Sequence, residues 1–422
     1  MKCPRCGLEM KNGRCPTCGY MDPEMADSSP SPDVSSLAPI IHISTITAVV
    51  IFLGLLILNT ALTIWSVDMV LPEVLGSSDV IFIVVGIPIG LVRISGYSLS
   101  AFYLFLVFAI ILSLVAIFYT GIGDLFDYLK EVVRGEFQKV KENDRLGSPF
   151  LRLVCIFTSL LFISYVYLIV LELIGASPAG SGLEELPLWR QMYSLTRAVV
   201  WEEIVVRVVF IGLPMLIYAA VKGKRRLRGY LLGGFGFKNR IPALFILFSS
   251  VMFALAHLPG WDLYKMFPTF VAGLAFGYLF VKDGLHSAIL LHFFWNFMSV
   301  PDKLMDISRF DVYLSLMVLF WMLVGVYYTY YYIKKLGAWL QKTPHEEKKA
   351  GPEHLAGEEG SSRHTAGVTI GYVCPNCAFD KAIYTDEGKL KCKRCGKESD
   401  PSSDYAQQHT GTISVDRKWP PS

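Results

Sequence analysis

Charge is scarce in this sequence. Of its 422 residues only 18% are Asp, Glu, Lys or Arg, while 53% are hydrophobic. A soluble domain carries about 25% charged residues, so an ordinary soluble fold is excluded over most of the length. The deficit is uneven, because long apolar runs lie between about Pro39 and Ile333 and polar stretches flank them. A formal net charge of +3 is too small to point to a polyanionic partner. The first 20 residues are polar and cysteine-rich, so no cleavable signal peptide is expected. No HExxH occurs, which removes the usual metalloprotease helix. Cysteine is nearly absent outside CxxC pairs. Eight of the nine cysteines form four such pairs at the two ends, and Cys155 alone stands apart, where it reads as a core residue.

Paired CxxC units in a reducing compartment read as zinc sites and not as a disulfide framework. In residues 1–19, Cys3, Cys6, Cys15 and Cys18 give two CPxCG knuckles, each turning two thiolates toward one metal. Four thiolates suit tetrahedral zinc, and a unit this short has no core without metal. Residues 20–38 form a Ser/Pro/Asp linker. Near the other end Cys374, Cys377, Cys392 and Cys395 repeat the arrangement over 371–398. The stretch between those knuckles predicts a β-hairpin turning near Glu387 and Gly388, hence a second zinc ribbon. Residues 342–370 are a polar, disordered-type linker, and 399–422 a loose tail.

The region 39–335 reads as a membrane domain. A helix needs roughly 20 apolar residues to cross the hydrocarbon. Eight runs qualify or nearly so: about 40–65, 98–120, 150–173, 196–221, 242–258, 267–281, 285–300 and 312–333. The sixth and seventh are short, which suits helices buried within a bundle. Run 80–92 carries Pro88 and is too short to span, so it reads as interfacial or re-entrant. The tyrosines at 327–332 read as an aromatic interface belt. The expected fold is therefore an all-α polytopic membrane bundle of about eight helices, with a small zinc ribbon at each terminus.

Lys and Arg orient it. With eight spans and a cytosolic N-terminus, the inner loops 121–148, 222–240 and 282–284 carry 13 Lys/Arg and the outer loops 6. The positive-inside rule supports that arrangement, which places a multi-pass protein in the cell membrane with both termini cytosolic.

Charges do occur inside the fourth run, in WEEIVVRVVF (201–210). Each costs on the order of 2.5–3.5 kcal/mol at a helix centre, so something compensates for them or uses them. Glu203 and Arg207 are i and i+4 and can pair. Glu202 points about 100° away and is free to face something else. FALAH then puts Phe253 and His257 one turn apart, and HFFWN does the same for His292 and Asn296. Under the orientation above, Glu202, His257, His292 and Asn296 all meet on the extracytoplasmic side of the midplane. A carboxylate and two histidines can activate water or hold a metal with water, and an amide can donate to an oxyanion. Those parts suit hydrolysis of a peptide bond.

EExxxR, FxxxH and HxxxN, in that order on successive helices, resemble the CPBP family, the CaaX-processing and bacteriocin-processing intramembrane proteases also called the Abi family. The resemblance covers roughly residues 150–300. It implies Glu202 as general base with His257 positioning the water. It implies His292 and Asn296 as carbonyl-polarising and oxyanion-stabilising groups, with Glu203 and Arg207 as structural support. It leaves a catalytic metal open beside the two structural zincs. The zinc ribbons lie outside the family core.

The function expected is an intramembrane endopeptidase acting on a membrane-associated or exported peptide. The alternative is a catalytically inactive scaffold or immunity-type adaptor recruiting partners through the ribbons. A transporter using the polar set as an ion site is the third class, and no repeat of broken helices supports it. Membrane lipids and a cytosolic protein docking on the ribbons are the expected partners. Nucleic acid is not, because the basic residues of the C-terminal ribbon are offset by Asp380, Asp386 and Glu387.

Overall fold

In hydrocarbon every backbone N–H and C=O must be satisfied within the chain, so the apolar runs fold as helices. The computed structural model describes residues 38–82, 91–136, 147–176, 182–223, 228–237, 239–258, 263–305, 309–341, 382–384, 390–392 and 398–399. The chain divides into two units, 1–347 and 348–422.

In the first unit, α1 (Ala38–Trp65) and α2 (Val67–Leu75) lead into strands β1 (Ser78–Phe82) and β2 (Leu91–Ser95). Then come α3 (Tyr97–Val133), α4 (Pro149–Leu173) and α5 (Leu188–Arg197), which continues through two stretches of π-helix into α6 (Leu213–Val221). A short α7 (Arg228–Leu232) precedes α8 (Ile241–Ala256), α9 (Met266–Lys282), α10 (Leu285–Phe297), α11 (Val300–Met305) and α12 (Phe310–Gln341). The eight expected runs all appear as helices in order, with α5 and α6 serving as one. Six are long and apolar enough to cross a bilayer. These features make it a multi-pass membrane protein with an all-α bundle.

The fifth and seventh runs fall short as independent spans. At 1.5 Å per residue, α8 with 16 residues and α10 with 13 measure roughly 24 and 20 Å. The apolar character of α10 serves the protein interior instead of lipid. Phe294 of α10 stacks on Phe52 of α1 at 3.8 Å and meets Phe157 of α4 edge-on at 4.8 Å. Trp321 of α12 closes the group against Phe157 at 5.1 Å. All four rings are buried. An apolar run surrounded by protein and one facing lipid look alike in sequence.

Two other expectations are refined. The 80–92 run is not helix at its ends, which pair as antiparallel strands, with Ser78 opposite Ser95 and Phe82 opposite Leu91, while 83–90 lie outside the described residues. The Val and Ile residues at those ends favour strand. The tyrosine cluster is also not wholly an interface belt. Tyr330 is exposed, but Tyr328 is buried and lies 2.6 Å from Thr45 Oγ1. The Thr45 hydroxyl already donates to Ile41 O, so Tyr328 is the donor in that bond. Cys155 is buried, as expected.

One end of the bundle is clamped by charge. Arg152 of α4 pairs with Asp283, in the turn between α9 and α10, and also reaches Gly147 O. Burial pushes the Asp283 carboxyl above its usual range, and the Arg152 guanidinium beside it works in the opposite direction. At the same end the backbone N–H groups of Gly234 and Gly236 cap α9 by bonding Phe280 O and Val281 O, both at 2.8 Å. Gly233 sits at φ 83°, and a side chain there would collide with Phe280 O. Removing one partner of a buried pair strands the other charge. Arg152→Ala is therefore expected to lower stability by about 3–5 kcal/mol, measured by unfolding in detergent, with Arg152→Lys less damaging.

Of the second unit, three short strands are described: β3 (Ala382–Tyr384), β4 (Leu390–Cys392) and β5 (Glu398–Ser399), antiparallel in that order. Ala382 faces Cys392 and Tyr384 faces Leu390, so β3 and β4 pair where the sequence predicts a hairpin. β5 pairs with β4, adding a strand that the sequence reading ended just short of. Cys3, Cys6, Cys15, Cys18, Cys374, Cys377 and Cys395 lie outside the described residues, as do both linkers nearly in full and the tail beyond Ser399.

Candidate active site

The segment after Arg197 leaves α-helical geometry. Ala198–Glu202 and Ile204–Gly212 are π-helix, with Glu203 between them. Wider i→i+5 turns of this kind are rare and concentrate at functional sites. Pro214 contributes locally, since it lacks the N–H that would continue the ladder. The charged residues of the fourth run therefore sit on a widened helix. On the N-terminal side this helix is tied to the β1–β2 hairpin. Asp79 Oδ2 of β1 accepts from Tyr193 Oη at 2.7 Å and from Arg197 Nη1 at 3.0 Å.

The two glutamates have separate tasks. Glu203 is fully buried and binds on both carboxylate oxygens. Arg207 Nε donates to its Oε2 at 2.9 Å, and His292 Nδ1 lies 3.0 Å from its Oε1. A carboxylate paired with a guanidinium can only accept, so His292 carries its proton on Nδ1 in that bond. Arg207 is fully buried too, and its Nη1 donates to Ser249 Oγ at 2.8 Å. Its Nη2 takes no oxygen partner, and the guanidinium instead lies against the rings of Phe253 and Phe276, at 5.0 and 5.7 Å. Such cation–π contacts offset part of the desolvation.

Glu202 faces the other way. Its Oε2 lies 3.9 Å from His257 Nε2, beyond direct hydrogen bonding, and has no partner although it is buried from solvent. His257 is the C-cap residue of α8, and its Nδ1 lies 2.8 Å from Phe253 O. A carbonyl accepts only, so the ring proton is on Nδ1 and Nε2 of the neutral ring presents a lone pair. Two acceptors thus face each other at 3.9 Å, a separation that one water standing off their line can bridge by donating a proton to each.

Glu202, His257, His292 and Asn296 line one cavity of about 690 Å3. Its walls mix aromatic rings, among them Tyr167, Phe253, Phe276 and Trp295, with aliphatic side chains such as Leu168 and Leu195. It extends to the segments around Leu183, Leu186, Tyr264 and Lys265, at the end of the bundle opposite the Arg152–Asp283 clamp. All four residues singled out from the sequence are brought together. Glu203 and Arg207 pair behind them, and Glu203 also holds His292, a contact that helical spacing does not show. The sequence reading missed Ser249 and Phe276, which touch Arg207, and His292 stacks on Phe276 at 4.9 Å. One signal was available: Ser249, Phe253 and His257 follow at intervals of four on α8.

Residues 184–298 match the family model described as type II CAAX prenyl endopeptidase Rce1-like. The chain carries a CPBP-family membrane protease domain. The CPBP domain makes it a peptidase, a hydrolase acting within the membrane on membrane-associated substrates. The matched segment runs from just before α5 to the end of α10, and so contains Glu202, His257, His292 and Asn296. No curated protein and no solved structure matches the chain.

Among the described residues no three His, Cys, Asp or Glu side chains are grouped so as to hold a metal ion. His292 Nδ1 is committed to Glu203 and His257 Nδ1 to Phe253 O, so each imidazole has only Nε2 left for the cavity.

Proposed function

We propose that the protein hydrolyses a peptide bond of a membrane-associated or exported peptide, with Glu202 as general base. The observation that carries this reading is the facing pair of acceptors, Glu202 Oε2 and His257 Nε2, 3.9 Å apart in the cavity wall. A water donating to both at about 2.8 Å each has its lone pairs directed away from them, toward a bound carbonyl. Glu202 takes the proton as the water oxygen attacks the carbonyl carbon. The new oxyanion is met by His292 Nε2 and the Asn296 amide. With Nδ1–H bonded to Glu203, His292 donates from Nε2 as the imidazolium, and the Glu203 carboxylate stabilises that cation. When the C–N bond breaks, Glu202 returns its proton to the leaving amine. Every step uses side chains that line the cavity or touch one that does.

The substrate class follows from access. The cavity reaches the end of the bundle that the Lys/Arg bias assigns to the outer face. A prenylated cytosolic tail would need an opening on the other face, so the reading favours a membrane or exported peptide. The aromatic and aliphatic parts of its wall suit apolar residues beside the scissile bond. Zinc is proposed in both terminal modules, on Cys3, Cys6, Cys15 and Cys18 and on Cys374, Cys377, Cys392 and Cys395. The spacing supports it, as does the β3–β4 hairpin. Four thiolates per module would fold the unit around the metal. A cytosolic protein partner docking on them fits their place on the chain.

The test is cleavage of bilayer-embedded reporter peptides by the purified full chain, with zinc content measured on the same sample. Two zincs per chain and cleavage lost in Glu202→Gln are expected. A third zinc lost in His257→Ala would replace this reading by a metalloprotease. Two zincs with no cleavage across a broad peptide library would leave the inactive scaffold.

A further inference from the structure

The polar chain behind His292 ends on a side chain with no assigned task, Ser249. Its single hydroxyl proton goes to Val206 O at 3.1 Å, so its oxygen is left to accept from Arg207 Nη1 at 2.8 Å. From there the chain runs Arg207 Nε to Glu203 Oε2 at 2.9 Å, and Glu203 Oε1 to His292 Nδ1 at 3.0 Å. Ser249, Arg207 and Glu203 are each 0% exposed and His292 is 5% exposed. Water is excluded from every link. The His292 ring lies nearly parallel to Phe276, at 16°, and the guanidinium contacts the same ring.

The form of the Arg207–Glu203 pair is the informative point. Arg and a carboxylate prefer a bidentate fork, two parallel N–H···O bonds. Here the pair is single, through Nε and Oε2, and the second oxygen is held by His292. Something must keep the rest of the guanidinium off Oε1. By holding Nη1, the arm on the far edge, the Ser249 oxygen fixes the rotation of the group about its Nε contact, and Phe253 and Phe276 hold its plane, so that Nη2, the arm beside Nε, does not close the fork on Oε1.

We propose that Ser249 is a positioning residue for His292: by engaging Arg207 it keeps the guanidinium from claiming both oxygens of Glu203, and so leaves Oε1 to orient the imidazole. This rests on the reading of His292 as the group that polarises the substrate carbonyl. Without the hydroxyl, Arg207 turns to the bidentate arrangement, which satisfies its own donors and releases His292. The fold is then preserved while the imidazole loses its anchor. An ordinary packing role for Ser249 predicts the reverse, lost stability with His292 undisturbed.

The experiment compares Ser249→Ala with wild type in detergent, on full-length protein labelled with 15N-histidine. The Nδ1–H resonance of His292 is assigned by its absence in His292→Gln. Ser249→Ala is expected to move or abolish that resonance. It should lower kcat by about 10–100-fold, the range for a group displaced by about an ångström, with KM within about twofold. Ser249→Thr, which keeps the hydroxyl, should restore the resonance and most of kcat. If Ser249→Ala does not fold, Ser249→Cys replaces it, since a thiol of similar size is a weak acceptor. An unmoved resonance overturns the proposal, as does a moved resonance with unchanged kcat. If wild type cleaves nothing, the proteolytic reading fails by itself, and the resonance still decides whether Ser249 positions His292.

Discussion

Glu202→Gln is expected to lower kcat/KM about 10^2–10^4-fold, the usual share of a general base, while leaving the unfolding midpoint unchanged. Glutamine keeps the volume and one carbonyl oxygen, and removes only the ability to take a proton. Stability is spared because, among the described residues, Glu202 forms no ion pair with Arg or Lys and its Oε2 has no hydrogen-bond partner to lose. Peptide cleavage beside thermal unfolding on the same preparation checks both halves. His257→Ala should fall in the same range. The double variant should be scarcely worse than either single one, because two groups that share one water act as a unit. Full additivity would mean that they do not share it.

Arg207→Met carries the largest expected loss of stability, about 3–5 kcal/mol. Methionine fills much of the volume between Phe253 and Phe276, so the cost is electrostatic and not a cavity. What remains is a Glu203 carboxylate at 0% exposure with one of its two partners gone. Loss of an ion pair in a soluble surface site would cost at most about 1 kcal/mol, so the magnitude itself tests the burial. Removing both charges, as Glu203→Leu with Arg207→Met, should recover most of that stability, because no uncompensated charge is left. It should not recover cleavage, since His292 then has no acceptor for Nδ1–H. Unfolding midpoints and cleavage rates for the two singles and the double separate the structural task of the pair from its task in catalysis.

The π-helical stretch shows where reading by helical period reaches its limit. Spacing of four residues places Glu203 beside Arg207 on any helix of ordinary pitch, and the pair is there. The same spacing is silent about α10, which arrives from 89 residues further along the chain to put His292 on the other oxygen. Glu203 therefore reads as support from the sequence, and in the structure it is the link between the guanidinium and the cavity. Ser249 and Phe276 were hidden for a similar reason. A serine and a phenylalanine in apolar helices are common, and only their neighbours on other helices distinguish them. The β1–β2 pairing was missed because a run of apolar residues too short to span suits several structures, and neither strand by itself declares its partner.

Local chemistry by itself determined the apolar helices, because backbone groups in hydrocarbon must bond within their own segment. It determined that Glu202, His257, His292 and Asn296 are out of place in such helices and so belong together, because isolated intramembrane polar groups are costly. It also determined where β3 and β4 pair, since short strands flanking a turn declare themselves locally. Only the tertiary structure decided which helices are sheathed by protein, which oxygen of Glu203 goes to which partner, and that Glu202 and His257 face each other as two acceptors. Those depend on distances between side chains far apart in the chain. Such distances come from the way ten-residue and thirty-residue helices nest against one another, roughly 8–10 Å between axes, and no spacing along the sequence encodes them.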